Sequence, residues 1–163
     1  MLTQVTKDPE LEENIRQAVT MIANEIFYAL IDKVPNTVFE TDAEIEPFTN
    51  PIYSWVDSKG NRKFRVVMSM EKSTSEELTR AMFTLAETDE VTEEDINDAF
   101  GEIANVVGGN LKAVVEDSGT LTIPKVSTEK PWGQDPPIVA LNFNWKGNFL
   151  IISISDLASM VEE

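Results

Sequence analysis

Two long stretches of the chain repeat apolar residues at helical spacing. In the first, Ile15, Ala18, Val19, Ile22, Ile26, Ala29 and Leu30 form a stripe that predicts one helix over residues 9–34, stopped by Pro35. In the second, Ile96, Ala99, Phe100, Ile103, Val106, Val107, Leu111 and Val114 predict a helix running to about Val115. Thr92-Glu93-Glu94-Asp95 resembles a capping box at its start, and these acids suit the positive end of the helix dipole.

The strands read differently. Tyr53-Ser54-Trp55-Val56 and Phe64 to Met70 are strand-like, and Asp57-Ser58-Lys59-Gly60-Asn61 between them is turn chemistry, so the pair predicts a hairpin. Ile138–Phe143 and Phe149–Ile154 predict a second hairpin, joined by Trp145-Lys146-Gly147-Asn148. Val38, Phe39, Ile45 and Phe48 suit an irregular edge strand, because Pro47 and Pro51 argue against a central one. Ser73 or Ser75 is expected to cap a helix through Leu78, Met82, Phe83 and Leu85. Leu121-Thr122-Ile123 starts a strand broken at Pro124. Residues 127–137 form a loop with Trp132 as an anchor, and Asp156 caps a short terminal helix.

The two long helices resemble each other. Glu12-Glu13-Asn14-Ile15 matches Glu93-Glu94-Asp95-Ile96, and Ala18 to Asn24 matches Ala99 to Asn105. Lys59-Gly60-Asn61 and Lys146-Gly147-Asn148 echo each other in the hairpins. The expected architecture is α+β: an antiparallel sheet with two long helices packed on one face, built from pseudo-duplicated helix-plus-hairpin halves. The copies differ at one telling place. Met21 stands where the second helix has Glu102, and Thr20 where it has Gly101, whereas Asn24 matches Asn105.

Glu102 and Asn105 fall outside the apolar stripe and are neighbours on the helix surface. Gly101, Gly108 and Gly109 lie around them. A glycine inside a helix costs about 1 kcal/mol relative to alanine. Stability alone does not explain three of them, and their placement is expected to leave room for another surface to approach the pair. The spacing alone carries little, since Glu94-x-x-Asn97 is a second instance of it.

Composition narrows the chemistry. The 163 residues are expected to form a single domain, residues 1–163, with its own core. The sequence has no cysteine and no histidine, which excludes disulfides, thiolate and Ser-His-Asp catalysis, and imidazole metal ligands. Thirteen basic residues against 29 acidic ones, a formal net charge of −16, argue against nucleic acid and anionic membranes as partners. With no signal-peptide core and no long apolar run, the reading is a soluble cytoplasmic protein. The acids Asp89, Glu90, Glu93, Glu94, Asp95 and Asp98 lack the spacing of an EF-hand loop and read as a solvated helix start.

Laid out this way, the chain resembles the CheX/CheC/FliY family of bacterial chemotaxis phosphatases. The resemblance rests on Asp98-Ala99-Phe100-Gly101-Glu102-Ile103-Ala104-Asn105-Val106-Val107-Gly108-Gly109, followed by Lys112, with Leu121-Thr122-Ile123-Pro124 in support. The Glu/Asn pair occurs once in a matching helix, which is closest to CheX. The resemblance implies a phosphatase acting on the aspartyl phosphate of a CheY-like response regulator. It would make Asn105 the residue that orients the attacking water and Glu102 the contact to the regulator's lysine. It implies no cofactor bound by this chain, with Mg2+ supplied by the phosphorylated partner, and a homodimer joined at sheet edges. The alternative is a non-catalytic binding module for a response regulator or flagellar partner.

Overall fold

The computed structural model describes residues 9–131 and 137–157. Helix α1 spans Pro9–Ile26 and continues as a π-helical segment, Phe27–Asp32. The predicted first helix is therefore one rod in two windings, and it ends at Lys33, whose φ of 63° is left-handed. Strands β1 (Val38–Glu40), β2 (Pro51–Asp57) and β3 (Phe64–Glu71) follow. Helices α2 (Lys72–Phe83) and α3 (Glu93–Leu111) come next, and β4 (Lys125–Ser127), β5 (Val139–Trp145) and β6 (Asn148–Asp156) complete the described chain.

The six strands form one antiparallel sheet in the order β1-β5-β6-β3-β2-β4. That order reads the same from either end when β1 is exchanged for β4, β2 for β5 and β3 for β6. The helices obey the same exchange, since α1 packs on β1 and β5 while α3 packs on β4 and β2. The duplication expected from sequence is thus a pseudo-two-fold fold, with β3 and β6 paired at its centre and each half lending an edge strand to the other. Helix α2 has no matching partner among the described residues.

One face of the sheet and the apolar stripes of the helices share a single core. Ile52, Val56, Val66, Met68, Leu141, Phe143, Ile152 and Ile154 meet Ile15, Val19, Ile22, Ile96, Phe100, Ile103 and Val107 there. Alternation in the strands and the helical stripe each supply one apolar face, and burying both excludes water from one layer.

Several local expectations are corrected. Neither Ser73 nor Ser75 caps α2. Its N-cap is Glu71, whose carboxylate instead accepts from the Thr49 and Asn50 backbone N–H groups of the preceding loop, and Ser75 Oγ donates to Lys72 O inside the helix. Helix α3 ends at Leu111, four residues early. Leu121 makes only an isolated bridge to Ser58, and the strand forms after Pro124 as β4, where each residue keeps its N–H. Pro51 opens β2, the strand position where a proline's missing donor is tolerated. Asp156 ends β6; Trp132 and the terminal helix after Asp156 lie outside the described residues.

Candidate functional site

Helix α3 is fixed at its start by the predicted capping box. Thr92 Oγ1 accepts from the Asp95 N–H at 3.1 Å, and Asp95 Oδ2 accepts from the Thr92 N–H at 3.1 Å. Such a cap is worth about 1 kcal/mol. Lys72 Nζ pairs with Glu93 at 2.6 Å, tying the same end to α2. The acids of this region thus include two with structural partners, and Asp89 adds a third by accepting from the Ala86 N–H.

The body of α3 is held against β2 at close range. Ser54, fully buried, donates its hydroxyl to the Phe100 carbonyl at 2.9 Å. One residue on, a Cβ at Gly101 would stand 3.5 Å from Pro124 Cβ. Two turns on, a Cβ at Gly108 would stand 2.5 Å from Val56 Cγ2 and 3.2 Å from Leu121 Cδ1. The sequence expectation that these glycines leave room for another surface is therefore corrected for two of the three. Gly101 and Gly108 are buried and admit the chain's own Pro124, Val56 and Leu121. Gly109 is exposed with nothing within 4 Å of a Cβ, so it alone keeps the outer face low.

That outer face carries Asp98, Glu102, Asn105, Gly109 and Lys112, all exposed. Their spacing of three and four residues stacks them along one side of α3. Among the described residues, neither the Glu102 carboxylate nor the Asn105 amide has a hydrogen-bond or ion-pair partner. Glu102 borders a shallow groove between α3 and the α1 rod, with Ile22, Glu25, Ile26 and Val106. Glu94 and Asn97, the second instance of the spacing, are also exposed, one turn from the helix start.

The matching place on α1 is built otherwise. Met21, where α3 has Glu102, is 64% exposed and brings no polar group. Asn24 is half-buried and donates its amide to the Thr20 carbonyl at 3.0 Å. Thr20 in turn donates its hydroxyl toward Glu40 and Arg16. The Asn24 amide thus donates within the helix, whereas that of Asn105 faces solvent.

One buried polar centre escaped the sequence reading. Asp32, with only 3% of its side chain exposed, accepts from Trp145 Nε1 at 2.8 Å and from Thr37 Oγ1 at 2.5 Å, and pairs with Lys146 Nζ at 2.9 Å. Burial pushes its pKa up, but the hydrogen bonds from Thr37, Lys146 and Trp145 outweigh that and hold it below the usual carboxylate range. It pins the end of the α1 rod to the β5–β6 hairpin and serves structure. Its members come from two segments 113 residues apart, Asp32 with Thr37 and Trp145 with Lys146, so no local pattern announces it.

The described residues contain no group of three or more acids placed to hold a metal ion, and no helix long and apolar enough to cross a membrane. No curated protein sequence matches the chain. Solved structures do. CheX from Vibrio vulnificus aligns with a TM-score of 0.63 at 14% identity, covering 88% of this chain and 97% of that one. CheX from Borrelia burgdorferi, solved in a complex with CheY, BeF3 and Mg2+, aligns with a TM-score of 0.61 at 15% identity, covering 88% and 95%. CheX from Desulfovibrio desulfuricans aligns with a TM-score of 0.60 at 14% identity, covering 86% and 97%. At these identities the likeness establishes a shared fold. Residues 52–136, just over half of the sequence and including all of α3, match the family described as Chemotaxis phosphatase CheX. The chain belongs to the CheX family of chemotaxis phosphatases.

Proposed function

We propose that this protein removes the phosphoryl group from the aspartyl phosphate of a CheY-like response regulator, with Asn105 and Glu102 as its working pair. The observation that carries this reading is the exposed face of α3. A carboxylate and an amide, one turn apart and free of partners, stand on a helix whose opposite side is locked to the sheet. A CheX structure solved with CheY, BeF3 and Mg2+ supports the choice of partner.

The chemistry suits the residues. An amide both donates and accepts, so Asn105 can hold a water in line with the phosphorus without changing protonation state. Glu102 is placed to meet a lysine of the regulator. The metal ion is held by the regulator, and this chain binds no cofactor. Rate enhancement then comes from positioning, which requires no histidine or cysteine. The setting is the cytoplasm, where response regulators work.

The test is the decay of a phosphorylated regulator from the same host, followed with the intact protein and with Asn105→Ala. Loss of one preorganised polar group typically lowers a rate about 100- to 1000-fold. The variant should keep native circular dichroism, because the side chain is exposed and has no hydrogen-bond partner among the described residues. Folded Asn105→Ala working at the wild-type rate would replace this reading with that of a non-catalytic binding module.

Two copies of the chain join at their sheet edges in this reading. Strands β1 and β4 end the sheet with three residues each, and an edge strand is a template for pairing with another chain. A native mass at micromolar concentration of twice 18.2 kDa is expected, and a mass of 18.2 kDa refutes the dimer.

A further inference from the structure

Ile123 is 83% exposed, more than any other large apolar residue described. It is not on a loose loop. On one side, Thr122 is bonded twice to Asp57 at the end of β2: its N–H donates to the Asp57 carbonyl at 2.8 Å, and its hydroxyl accepts from the Asp57 N–H at 3.0 Å. On the other side, Pro124 fixes its own φ and packs beside Gly101. Leu121 bridges to Ser58 and lies against Gly108. An isoleucine clamped by both neighbours yet left in water contributes nothing to the core.

The two glycine contacts give its position. Leu121 lies beside Gly108 and Pro124 beside Gly101, so the segment runs antiparallel to α3. Three extended residues advance about 10 Å, and seven helical residues advance about 10.5 Å, so the two tracks stay in step. Ile123 therefore stands level with the turn of α3 between Gly101 and Asn105. Asn105 lies one turn beyond Gly101, on the same flank of the helix. An exposed apolar side chain and a free amide thus stand at the same level on adjacent segments of the surface.

We infer that Ile123 and Pro124 form the apolar half of the docking surface for the receiver domain of the phosphorylated regulator, a half that supplies affinity while Asn105 supplies rate. The inference rests on the function proposed above. A polar pair on an exposed helix gives little binding strength by itself, because water competes for both groups. A rigid apolar contact beside it adds affinity without the cost of ordering a loop. The partner it fits carries an apolar patch next to its phosphorylated aspartate.

The experiment measures steady-state dephosphorylation of a phosphorylated receiver domain by the intact protein, Ile123→Gln and Ile123→Val. The same receiver, activated with beryllofluoride, is titrated for binding. Ile123→Gln should raise KM and Kd about tenfold, since covering even part of an isoleucine side chain is worth that much. Its kcat and melting temperature should stay at wild-type values, because the side chain touches neither the phosphate nor the core. Ile123→Val should recover most of the affinity. A wild-type KM and Kd for Ile123→Gln overturns the inference and leaves the phosphatase reading standing. A fall in kcat at unchanged KM also overturns it, by moving Ile123 into the chemical step. A wild-type protein that neither binds nor dephosphorylates any receiver of its host overturns both readings, and the wild-type arm tells that failure apart.

Discussion

Helices α1 and α3 occupy equivalent places in a pseudo-symmetric fold, and their buried faces are nearly interchangeable. Each sets a stripe of isoleucine, valine and alanine against the same face of the sheet, and each packs on an edge strand and its inner neighbour, α3 reaching β3 as well. Their outer faces share one residue type at the matching position and differ in its state. Asn24 spends its amide donor on Thr20, beside an exposed methionine. Asn105 has a free amide, beside an exposed carboxylate. The fold therefore fixes where a site can stand, and a few outward residues decide whether one is present. The ends of the helices differ as well. The α1 rod ends in a buried carboxylate that ties it to β5 and β6, whereas α3 ends in turns at Leu111.

The difference at the helix ends predicts the largest stability effect. Asp32→Ala leaves the Trp145 N–H and the Thr37 hydroxyl without their acceptor and Lys146 without its partner. Losing one member of such a buried set costs about 3 kcal/mol, roughly a 10 °C drop in melting temperature for a chain of this size. The pH dependence carries a sign. The folded pKa is depressed, so the stabilisation is present above the ordinary carboxylate range and is lost as pH falls through the folded value. Thermal melts of both proteins should therefore converge in acid. A constant gap between them down to pH 2 would show that the carboxylate charge is not what holds the α1 rod.

A smaller effect separates the glycines of α3. Gly108→Ala drives a methyl into Val56 and should cost about 1–3 kcal/mol. Gly109→Ala meets open space and should gain up to about 1 kcal/mol from helix propensity. Chemical denaturation reads both, and equal effects would mean that α3 does not sit as close to β2 as the Ser54 hydrogen bond implies.

Most of the fold is legible in the sequence. Apolar periodicity placed both long helices and all four long strands, because each element buries one face and so must repeat at its own period. The capping box was legible because it is local. What failed was chemistry that depends on tertiary neighbours. The N-cap position of α2 falls on Glu71, whose carboxylate bonds the loop before β2 and not the helix, so the serines that look like caps lie inside the helix. The three-residue β4 is too short to show alternation and lies just past the proline that argued against it. Gly101 and Gly108 look like open ground in the sequence but face Pro124, Val56 and Leu121. The pair Glu102 and Asn105 was legible as residues outside an apolar stripe. That Asn105 is free while Asn24 is not could be read only from the hydrogen bonds.

The claim that one of two related helices works, and the other only packs, is tested most directly by a matched pair of alanine substitutions. Decay of the phosphorylated regulator is measured with Asn105→Ala and with Asn24→Ala, and Met21→Ala serves as a control on the α1 face. The account predicts a fall of about 100- to 1000-fold for Asn105→Ala, with wild-type rates for Asn24→Ala and Met21→Ala and native circular dichroism in all three. Equal losses from Asn24→Ala and Asn105→Ala, or a loss from Asn24→Ala alone, would contradict it.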